Sequence, residues 1–298
     1  MSNIKAWIVS LRLRTLPLAL STIFMGSIIA AAQQMYNPRV LLWAAITTLF
    51  LQILSNLSND YGDAVSGADN EHRVGPQRMI QSGVITLKEM KGAMVVCVLL
   101  ALVSGILLLL VAFDGITWLQ LLFFLLGIAA IGAAIRYTVG ANPYGYRGLG
   151  DLYVFLFFGL LGVAGTWFLH TNQWQWSVLL PAATIGFFSA GVLNLNNIRD
   201  IESDRQSNKI TLVVRMGRKA AAWYHFVLIV AGWLSMLTFV LFFTSGWRLW
   251  PIFISLPFFV RNIYIVFNSA KARSLDSELR NLSLSTLLFV ILSATVLL

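Results

Sequence analysis

The chain has 298 residues, of which 58% are hydrophobic and only 11% are charged, and its mean hydropathy is +0.78. Soluble domains carry roughly 25% charged residues, so this composition excludes a soluble globular protein. The single cysteine, Cys97, excludes a disulfide or a thiolate metal site built within one chain.

Apolar runs almost free of charged residues recur along the whole chain. A helix needs about 20 such residues to cross a hydrocarbon core of roughly 30 Å, whereas a transmembrane β-barrel shows alternating segments of about ten. The sequence therefore predicts an all-α polytopic membrane protein with about nine transmembrane helices, in one domain over residues 1–298. The predicted spans are residues 15–32, 40–58, 93–112, 115–135, 152–169, 177–198, 220–247, 249–260 extended to 268, and 281–298.

The basic residues predict the orientation, because Lys and Arg accumulate in cytoplasmic loops. With the N-terminus in the cytoplasm, 19 of the 21 basic residues fall inside, and only Arg39 and Arg248 fall outside. The C-terminus is then predicted outside. The net charge of +9 follows from the same rule and indicates no nucleic-acid partner. Residues 4–16, which mix apolar and basic side chains at near-helical spacing, predict a short amphipathic helix on the inner surface.

Eleven of the twelve acidic residues fall on the predicted inner side, mostly in two segments. Residues 56–63 close the second span, and residues 194–204 close the sixth. At about 100° per residue, the Asn and Asp side chains of each segment share one helix face. Asp60 and Asp200 are 140 residues apart. This spacing predicts a weak internal repeat, with halves at about 1–140 and 141–298, whose two Asp-rich inner loops face a shared central cavity.

Several carboxylates in one cavity raise each other's pKa unless a cation balances them. Oxygen ligands select hard divalent ions, and Mg²⁺ is usually held by one or two carboxylates together with substrate phosphates. The sequence therefore predicts Mg²⁺, as two ions, around a diphosphate. The alternative is that these acids are solvated and balance nearby basic residues. The candidate metal ligands are Asn56, Asn59, Asp60, Asp63, Asp200 and Asp204.

Basic residues beside the acidic segments fit a polyanionic ligand, because Arg binds phosphate oxygens bidentately and Lys acts as a point charge. The candidate diphosphate-binding residues are Arg78, Arg199 and Lys209. A diphosphate at a membrane surface predicts a polyprenyl tail among the apolar helices, hence polyprenyl diphosphate as substrate and the lipid bilayer as surroundings. Loss of diphosphate leaves an allylic cation, which aromatic faces stabilise when water is excluded. The tyrosines near the predicted inner loops are Tyr61, Tyr137, Tyr144, Tyr146 and Tyr153.

These motifs resemble those of the intramembrane aromatic prenyltransferase family, which read N-D-x-x-D-x-x-x-D and D-x-x-x-D-x-x-x-D. The two segments match at Asn59-Asp60-x-x-Asp63 and at Asp200-x-x-x-Asp204. Gly67 stands at the position of the final Asp of the first motif, and Asn208 at that of the second. Asp69 lies close to Gly67. Residues 14–17, 59–64, 75–78, 137–151 and 197–212 also resemble the family.

The resemblance implies nine helices around a cavity with a cytoplasmic active site, in a bacterial inner membrane. It implies Mg²⁺-dependent transfer of a polyprenyl group to 1,4-dihydroxy-2-naphthoate, with loss of CO₂ and diphosphate, to give demethylmenaquinone in menaquinone biosynthesis. Related enzymes carry a tyrosine and a lysine after the fourth span; here Tyr137 is present, and Arg147 is the cation left for the second role. Tyr144 is a further catalytic candidate. Asp151 is a candidate to orient or deprotonate the acceptor, or is simply a helix N-terminal acid.

Two alternatives stay open. The first is a prenyltransferase for another aromatic acceptor, such as 4-hydroxybenzoate. The second is a cation-coupled membrane carrier, which predicts acids buried near the bilayer midplane. The acids of both segments lie at predicted inner helix ends instead, which favours the enzyme.

Overall fold

The computed structural model describes residues 3–67, 78–244, 249–269 and 272–298. Over these residues the chain is helical and forms no β-strand. Nine of the described segments are long and apolar enough to cross a membrane. The predicted all-α membrane architecture is therefore confirmed.

The chain begins with a short helix, α1 (Asn3–Leu11), that is separate from the first span. It ends at Arg12, whose backbone is left-handed (φ 49°, ψ 55°), and a 3₁₀ turn (Leu13–Thr15) leads into α2 (Leu16–Ala32). Ala6 of α1 is buried while the opposite face exposes apolar side chains. A short helix therefore precedes the first span, but it ends at Leu11 and not at residue 16 as predicted.

The remaining helices include two spans that are interrupted. In the fifth span an α-helical turn passes into a π-helical stretch (Phe155–Gly165), and in the eighth a short helix precedes a longer one. The helices are α3 (Pro38–Ser66), α4 (Leu87–Ala112), α5 (Trp118–Arg136), α6 (Gly150–Val154), α7 (Thr166–Thr171), α8 (Leu179–Arg199), α9 (Ile201–Gln206), α10 (Leu212–Phe243), α11 (Trp250–Phe253), α12 (Leu256–Asn268) and α13 (Ser274–Leu297).

Side-chain caps fix where several spans begin. Thr86 and Glu89 form a reciprocal capping box at α4, with each residue satisfying the backbone N–H of the other. The hydroxyls of Thr117 and Thr211 accept from the third backbone N–H beyond them and start α5 and α10. These polar residues satisfy backbone groups that would otherwise lack partners at the helix ends.

The acidic segments differ from the predicted loops, because both are largely helical. Helix α3 continues to Ser66, eight residues past the predicted end of the second span, so the first segment occupies its last turns. Asp200 marks a break between α8 and α9, and Asp204 lies on α9. Charged residues end the apolar run but not the helix, because Asn and Asp on one face find partners in the bundle.

The core lies around α8, which packs against α10, the π-helical stretch, α13 and α2. Phe188 of α8 meets Phe259 and Phe289, and Trp233 packs edge-on to both of the latter. Such tilted aromatic pairs are favoured by the ring quadrupole. In contrast, α5 contacts chiefly α3 and α4 and buries only Ile131. One side of the bundle is therefore firmly packed, and the side at α5 is open.

Candidate active site

A cavity of about 390 Å³ lies between α2, α3, α4, α5, the fifth span and α8. Most of its wall is apolar, and its polar part lies where α3 and α8 end. The predicted site residues that line it are Asn56, Asn59, Asp63, Arg78, Tyr137, Tyr144, Asp200, Asp204 and Lys209. The structure therefore brings residues from both halves of the sequence to one end of one cavity.

The acids of the first segment are paired with basic residues. Asp60 forms ion pairs with Arg12 and with Arg78, whose Nε lies 3.4 Å from Asp60 Oδ1. Arg78 Nη2 lies 2.5 Å from Asp63 Oδ2, and Tyr146 Oη donates to Asp63 Oδ1 at 2.6 Å. Asp60 is buried behind the cavity lining, whereas Asp63 is part of it.

The two asparagines of the first segment hold neighbouring chain segments. Asn56 Nδ2 donates to the carbonyl of Leu11 at 2.9 Å and to Thr15 Oγ1 at 3.0 Å, which ties α3 to the start of α2. Asn59 Oδ1 accepts from Thr138 Oγ1 at 3.3 Å. Gly62 permits this approach, because a Cβ there would lie 2.5 Å from the Thr138 carbonyl oxygen. The amide groups thus fix the geometry of the acidic face.

The acids of the second segment also contact basic side chains. Arg199 donates to both oxygens of Asp200, from Nε at 2.8 Å and from Nη2 at 2.6 Å. Asp204 Oδ1 lies 3.3 Å from Lys209 Nζ, while its buried Oδ2 has no hydrogen-bond partner among the described residues. Burial and neighbouring carboxylates outweigh Lys209 and raise the pKa of Asp204 to about 6.

Lys209 joins the two segments. Its ammonium group lies 3.3 Å from Asp204 and 4.0 Å from Asp63, and 5.5 Å from the centre of the Tyr146 ring. Burial alone would lower the pKa of Lys209, but Asp63 and Asp204 raise it overall, so the amine stays charged. Asn208, the residue before Lys209, has a left-handed backbone (φ 56°) and turns the chain back towards α9.

Two aromatic candidates line the cavity beside the acids. Tyr144 stacks on Tyr153 with ring centres 3.9 Å apart, and the Tyr137 ring meets Tyr144 edge-on at 5.4 Å. Burial and the charges of Asp151 and Asp204 raise the pKa of Tyr137 above its usual range. Tyr137 is therefore a neutral phenol, and the three rings form an aromatic wall from the polar end into the cavity.

Three other candidates lie outside the cavity lining. The Arg147 side chain is exposed, and its backbone carbonyl accepts from Arg215 Nη2 at 2.9 Å. The Arg199 side chain is only 1% exposed and is enclosed by carboxylates. Asp151 is buried in the first turn of α6, and none of the described residues forms a hydrogen bond with its Oδ1. The geometry gives Arg147 no contact with the acidic segments, because Gly148 (φ 75°) ends its turn at the surface.

The side-chain oxygens at the polar end of the cavity are of the kind that binds a hard cation, although the acidic side chains lie apart from one another. Across the described ranges, no three His, Cys, Asp or Glu side chains form a group that could hold a metal. The carboxylates face basic side chains instead. Carboxylate and amide oxygens are nevertheless the ligands of Mg²⁺, and the unpartnered Asp204 Oδ2 is a buried acceptor. A metal that is shared with phosphate oxygens needs few protein ligands, so the oxygen ligands present fit such a metal.

Sequence reasoning missed Arg12, Arg14 and Asp276. Arg12 and Arg14, interpreted as interfacial charges, line the cavity, and Asp276 at the start of α13 pairs with Arg14 and Arg199. The available signal was position, since all three lie at span ends on the side that carries the acids. Gly67 and Asn208, which replace the final Asp of each motif, both have left-handed backbone. Asp69, Gly75 and Pro76 lie outside the described residues.

These features define a polytopic membrane protein in which a charged, oxygen-rich site opens into an apolar intramembrane cavity. The sequence profile of the UbiA prenyltransferase family matches residues 19–291. The chain therefore belongs to the UbiA prenyltransferase family.

Two relatives match over nearly the whole chain, and both are named 1,4-dihydroxy-2-naphthoate octaprenyltransferase. The Haemophilus influenzae protein is 41% identical over 97% of this chain and 94% of its own length. The Escherichia coli protein is 42% identical over 97% of this chain and 95% of its own length.

Two solved structures share the fold. The apo structure of a UbiA homologue from Aeropyrum pernix K1 has a TM-score of 0.71 at 15% identity and covers 95% of this chain and 98% of that chain. The structure of a UbiA homologue from Archaeoglobus fulgidus, bound to DMAPP and Mg²⁺, has a TM-score of 0.61 at 15% identity and covers 96% and 98%.

Proposed function

We propose that the chain transfers a polyprenyl group from polyprenyl diphosphate to 1,4-dihydroxy-2-naphthoate, releasing diphosphate and CO₂ and giving demethylmenaquinone for menaquinone biosynthesis. The observation that carries this proposal is the joining of two Asp segments at the polar end of an apolar cavity. The names of relatives at 41% and 42% identity support the acceptor. The reaction needs both a polar end and an apolar interior of the cavity, since its donor is a diphosphate that carries a hydrocarbon tail.

The polar end would hold the diphosphate with Mg²⁺, which stabilises the departing phosphate charge when bound. The name of the Archaeoglobus fulgidus structure, with DMAPP and Mg²⁺, supports this cofactor. Two ions are proposed because there are two acidic segments. The proposed ligands are Asn56, Asn59, Asp60, Asp63, Asp200 and Asp204.

Arg78 and Lys209 are the proposed diphosphate contacts from the protein. Both line the cavity and both contact Asp63. With Asp63 as a metal ligand, these two side chains would bind phosphate oxygens instead of that carboxylate. Arg78 offers a bidentate fork and Lys209 a point charge. Arg199 is predicted to contact the diphosphate as well, but because its buried side chain donates to Asp200, its proposed role is to hold that carboxylate.

The aromatic wall would stabilise the allylic cation. Tyr137, Tyr144 and Tyr153 present ring faces or edges beside the acidic segments, and a ring face attracts positive charge within about 6 Å. The apolar lining excludes water, which would otherwise capture the cation. Asp151 is buried near Tyr137, whose pKa its charge helps to raise, and it is proposed to orient or deprotonate the acceptor. Arg147 has no contact that assigns it a step.

The proposed setting is a bacterial inner membrane, with the N-terminus and the acidic end on the cytoplasmic side and the C-terminus outside. The 19-to-2 distribution of basic residues supports this orientation. The meeting of the ends of α3 and α8 supports the proposed halves at about 1–140 and 141–298.

The experiment is a transfer assay with purified protein in detergent and a radiolabelled polyprenyl diphosphate. 1,4-Dihydroxy-2-naphthoate and 4-hydroxybenzoate are offered separately, with Mg²⁺ or with EDTA. We expect labelled product and CO₂ only with the naphthoate and only with Mg²⁺. Product only with the benzoate would replace the acceptor. Absence of product with both, in folded protein, would contradict the proposed function and favour a carrier.

A further inference from the structure

Asp276, in the first turn of α13, connects two basic residues from distant parts of the chain. Its Oδ1 accepts from Arg199 Nη1 at 2.7 Å. Its two oxygens also accept from Arg14 Nη1, at 3.2 Å and 3.0 Å. Asp276 belongs to neither acidic segment, and it is absent from the cavity lining.

The Arg199 guanidinium makes four side-chain hydrogen bonds in this arrangement, out of the five N–H donors that it carries. It donates to both oxygens of Asp200, to Asp276 and to Asn196 Oδ1, the last at 2.9 Å. Its side chain is 1% exposed, so it cannot contact a ligand in the cavity without leaving these partners. Arg199 therefore acts on Asp200, which does line the cavity.

On its other side Asp276 holds Arg14, which lines the cavity directly. Arg14 lies on the 3₁₀ turn that links α1 to α2. The four alternating charges Asp200, Arg199, Asp276 and Arg14 thus run from α8 through α13 to the N-terminal segment. Arg199 and Asp276, the two inner members of this series, each contact an oppositely charged side chain on both sides.

Removal of Asp276 would change how strongly Arg199 holds Asp200. At present two carboxylates share the Arg199 charge. With Asp276 neutralised, the whole charge would face Asp200, in a buried site where screening is weak. Asp200 would then be a poorer acceptor for an added cation, and Arg14 would lose its fixed position.

We propose that Asp276 is a positioning residue, which through Arg199 sets the affinity of the second acidic segment for a divalent cation and thereby for diphosphate. This inference rests on the proposed function. Partners that orient ligand side chains in this way commonly change metal affinity 10–100-fold when they are lost.

The test compares Asp276→Asn with Asp276→Glu and with the matched control Glu202→Gln. Glu202 is an exposed acid of α9 that pairs with Arg205, so its loss removes the same charge near the same segment. Mn²⁺ serves as the probe, and its binding is followed by electron paramagnetic resonance with inorganic diphosphate and no acceptor. Transfer kinetics and the thermal midpoint are measured in parallel.

We expect Asp276→Asn to weaken Mn²⁺ binding about tenfold and to raise KM for polyprenyl diphosphate, with KM for the acceptor unchanged. Asp276→Glu should restore much of the affinity, and Glu202→Gln should resemble the wild type. Because Asp276 acts through Arg199, the double variant Asp276→Asn with Arg199→Gln should bind Mn²⁺ no more weakly than Arg199→Gln alone.

Unchanged Mn²⁺ affinity in folded Asp276→Asn would overturn the proposal, as would additive losses in the double variant. A lower thermal midpoint with unchanged affinity would make Asp276 a purely structural tie. The binding measurement needs no acceptor. Failure of the proposed function would therefore appear as normal Mn²⁺ and diphosphate binding without transfer, which is distinct from failure of the Asp276 inference.

Discussion

The two acidic segments face the same cavity but are held in different ways. The first lies on the unbroken helix α3, and its acids contact residues from the N-terminal segment, the described residues before α4, the loop after α5 and the turn before α10. The second lies at the break between α8 and α9. There Asp200 accepts hydrogen bonds from its sequence neighbour Arg199, and one oxygen of Asp204 has no hydrogen-bond partner within the described part of the chain.

This difference separates two roles. The first segment is a junction, where one carboxylate, Asp63, is shared by Arg78, Lys209 and Tyr146. In the second segment, Oδ2 of Asp204 is the acceptor that a metal or a further donor would use, since an ionised carboxylate can accept several hydrogen bonds or bind a metal. We expect loss of the shared acid to disrupt the whole site and loss of its individual partners to have graded effects.

The largest expected effect is that of Asp63→Asn. It removes a proposed metal ligand and the carboxylate that holds Arg78 and Lys209. We expect transfer to fall at least about 100-fold, beyond the usual effect of an outer-shell residue. Asp114→Asn, an exposed acid between α4 and α5, is the control and should be fully active. Comparable activity of the two variants would contradict the assignment of the first segment.

Lys209→Gln should have the next largest effect, because it removes the charge that bridges Asp63 and Asp204. We expect KM for polyprenyl diphosphate to rise about tenfold, in line with loss of one charge-assisted contact. Steady-state kinetics with varied diphosphate measure it. Lys88→Gln, which changes an exposed lysine of α4, should leave KM unchanged. An unaltered KM in Lys209→Gln would remove it from the diphosphate site.

Tyr146→Phe tests one contact of the junction while keeping the ring. The phenol donates to Asp63 at 2.6 Å, and its net contribution of about 1 kcal/mol predicts Mn²⁺ binding weaker by about threefold to tenfold. Tyr36→Phe, at the opposite end of the bundle, is the matched control. Equal binding by the two variants would show that the Tyr146 hydroxyl does not orient Asp63.

The smallest effect concerns pH in the metal-free protein. Asp204 has a pKa of about 6 in the fold, against 3.8 as the reference value. The folded state therefore takes up a proton that the unfolded chain releases between these values. Its stabilisation is complete below pH 3.8 and is lost as the pH rises through about 6. The thermal midpoint of the wild type, relative to Asp204→Asn, should accordingly be higher at pH 5 than at pH 7.5. A constant difference would contradict the raised pKa.

Charge-free windows were sufficient to predict the nine spans, because membrane thickness fixes their length. They misplaced ends such as that of α3, where Asn and Asp continue a helix supported by tertiary contacts. Helical periodicity also predicted that Asp60 and Asp63 lie on one side of α3. The π-helical stretch in the fifth span left no signal in the apolar sequence.

The side-chain partners were much less predictable. The contacts of Arg12 with Asp60 and of Arg199 with Asp276 join residues far apart in sequence, and helix packing alone decides them. Arg199 was predicted to bind diphosphate because it is one of the basic residues beside the second acidic segment. Adjacent helical side chains project about 100° apart, so a neighbour of a cavity residue commonly lies behind the wall. The same limit applies to Arg147, which was predicted to be a site residue but lies on a turn with its side chain exposed, outside the cavity lining.

The ion-paired cluster at the polar end has a further consequence for its response to salt. Among the residues that the structure describes, it contains five carboxylates and five basic side chains, so the formal charges of these ten side chains cancel. These are Asp60, Asp63, Asp200, Asp204 and Asp276 with Arg12, Arg14, Arg78, Arg199 and Lys209. An electroneutral cluster attracts few counterions from solution. A divalent cation and a diphosphate that bind together largely cancel each other's charge. Donor binding should therefore depend only weakly on ionic strength, unlike ligand capture by a site of one charge sign.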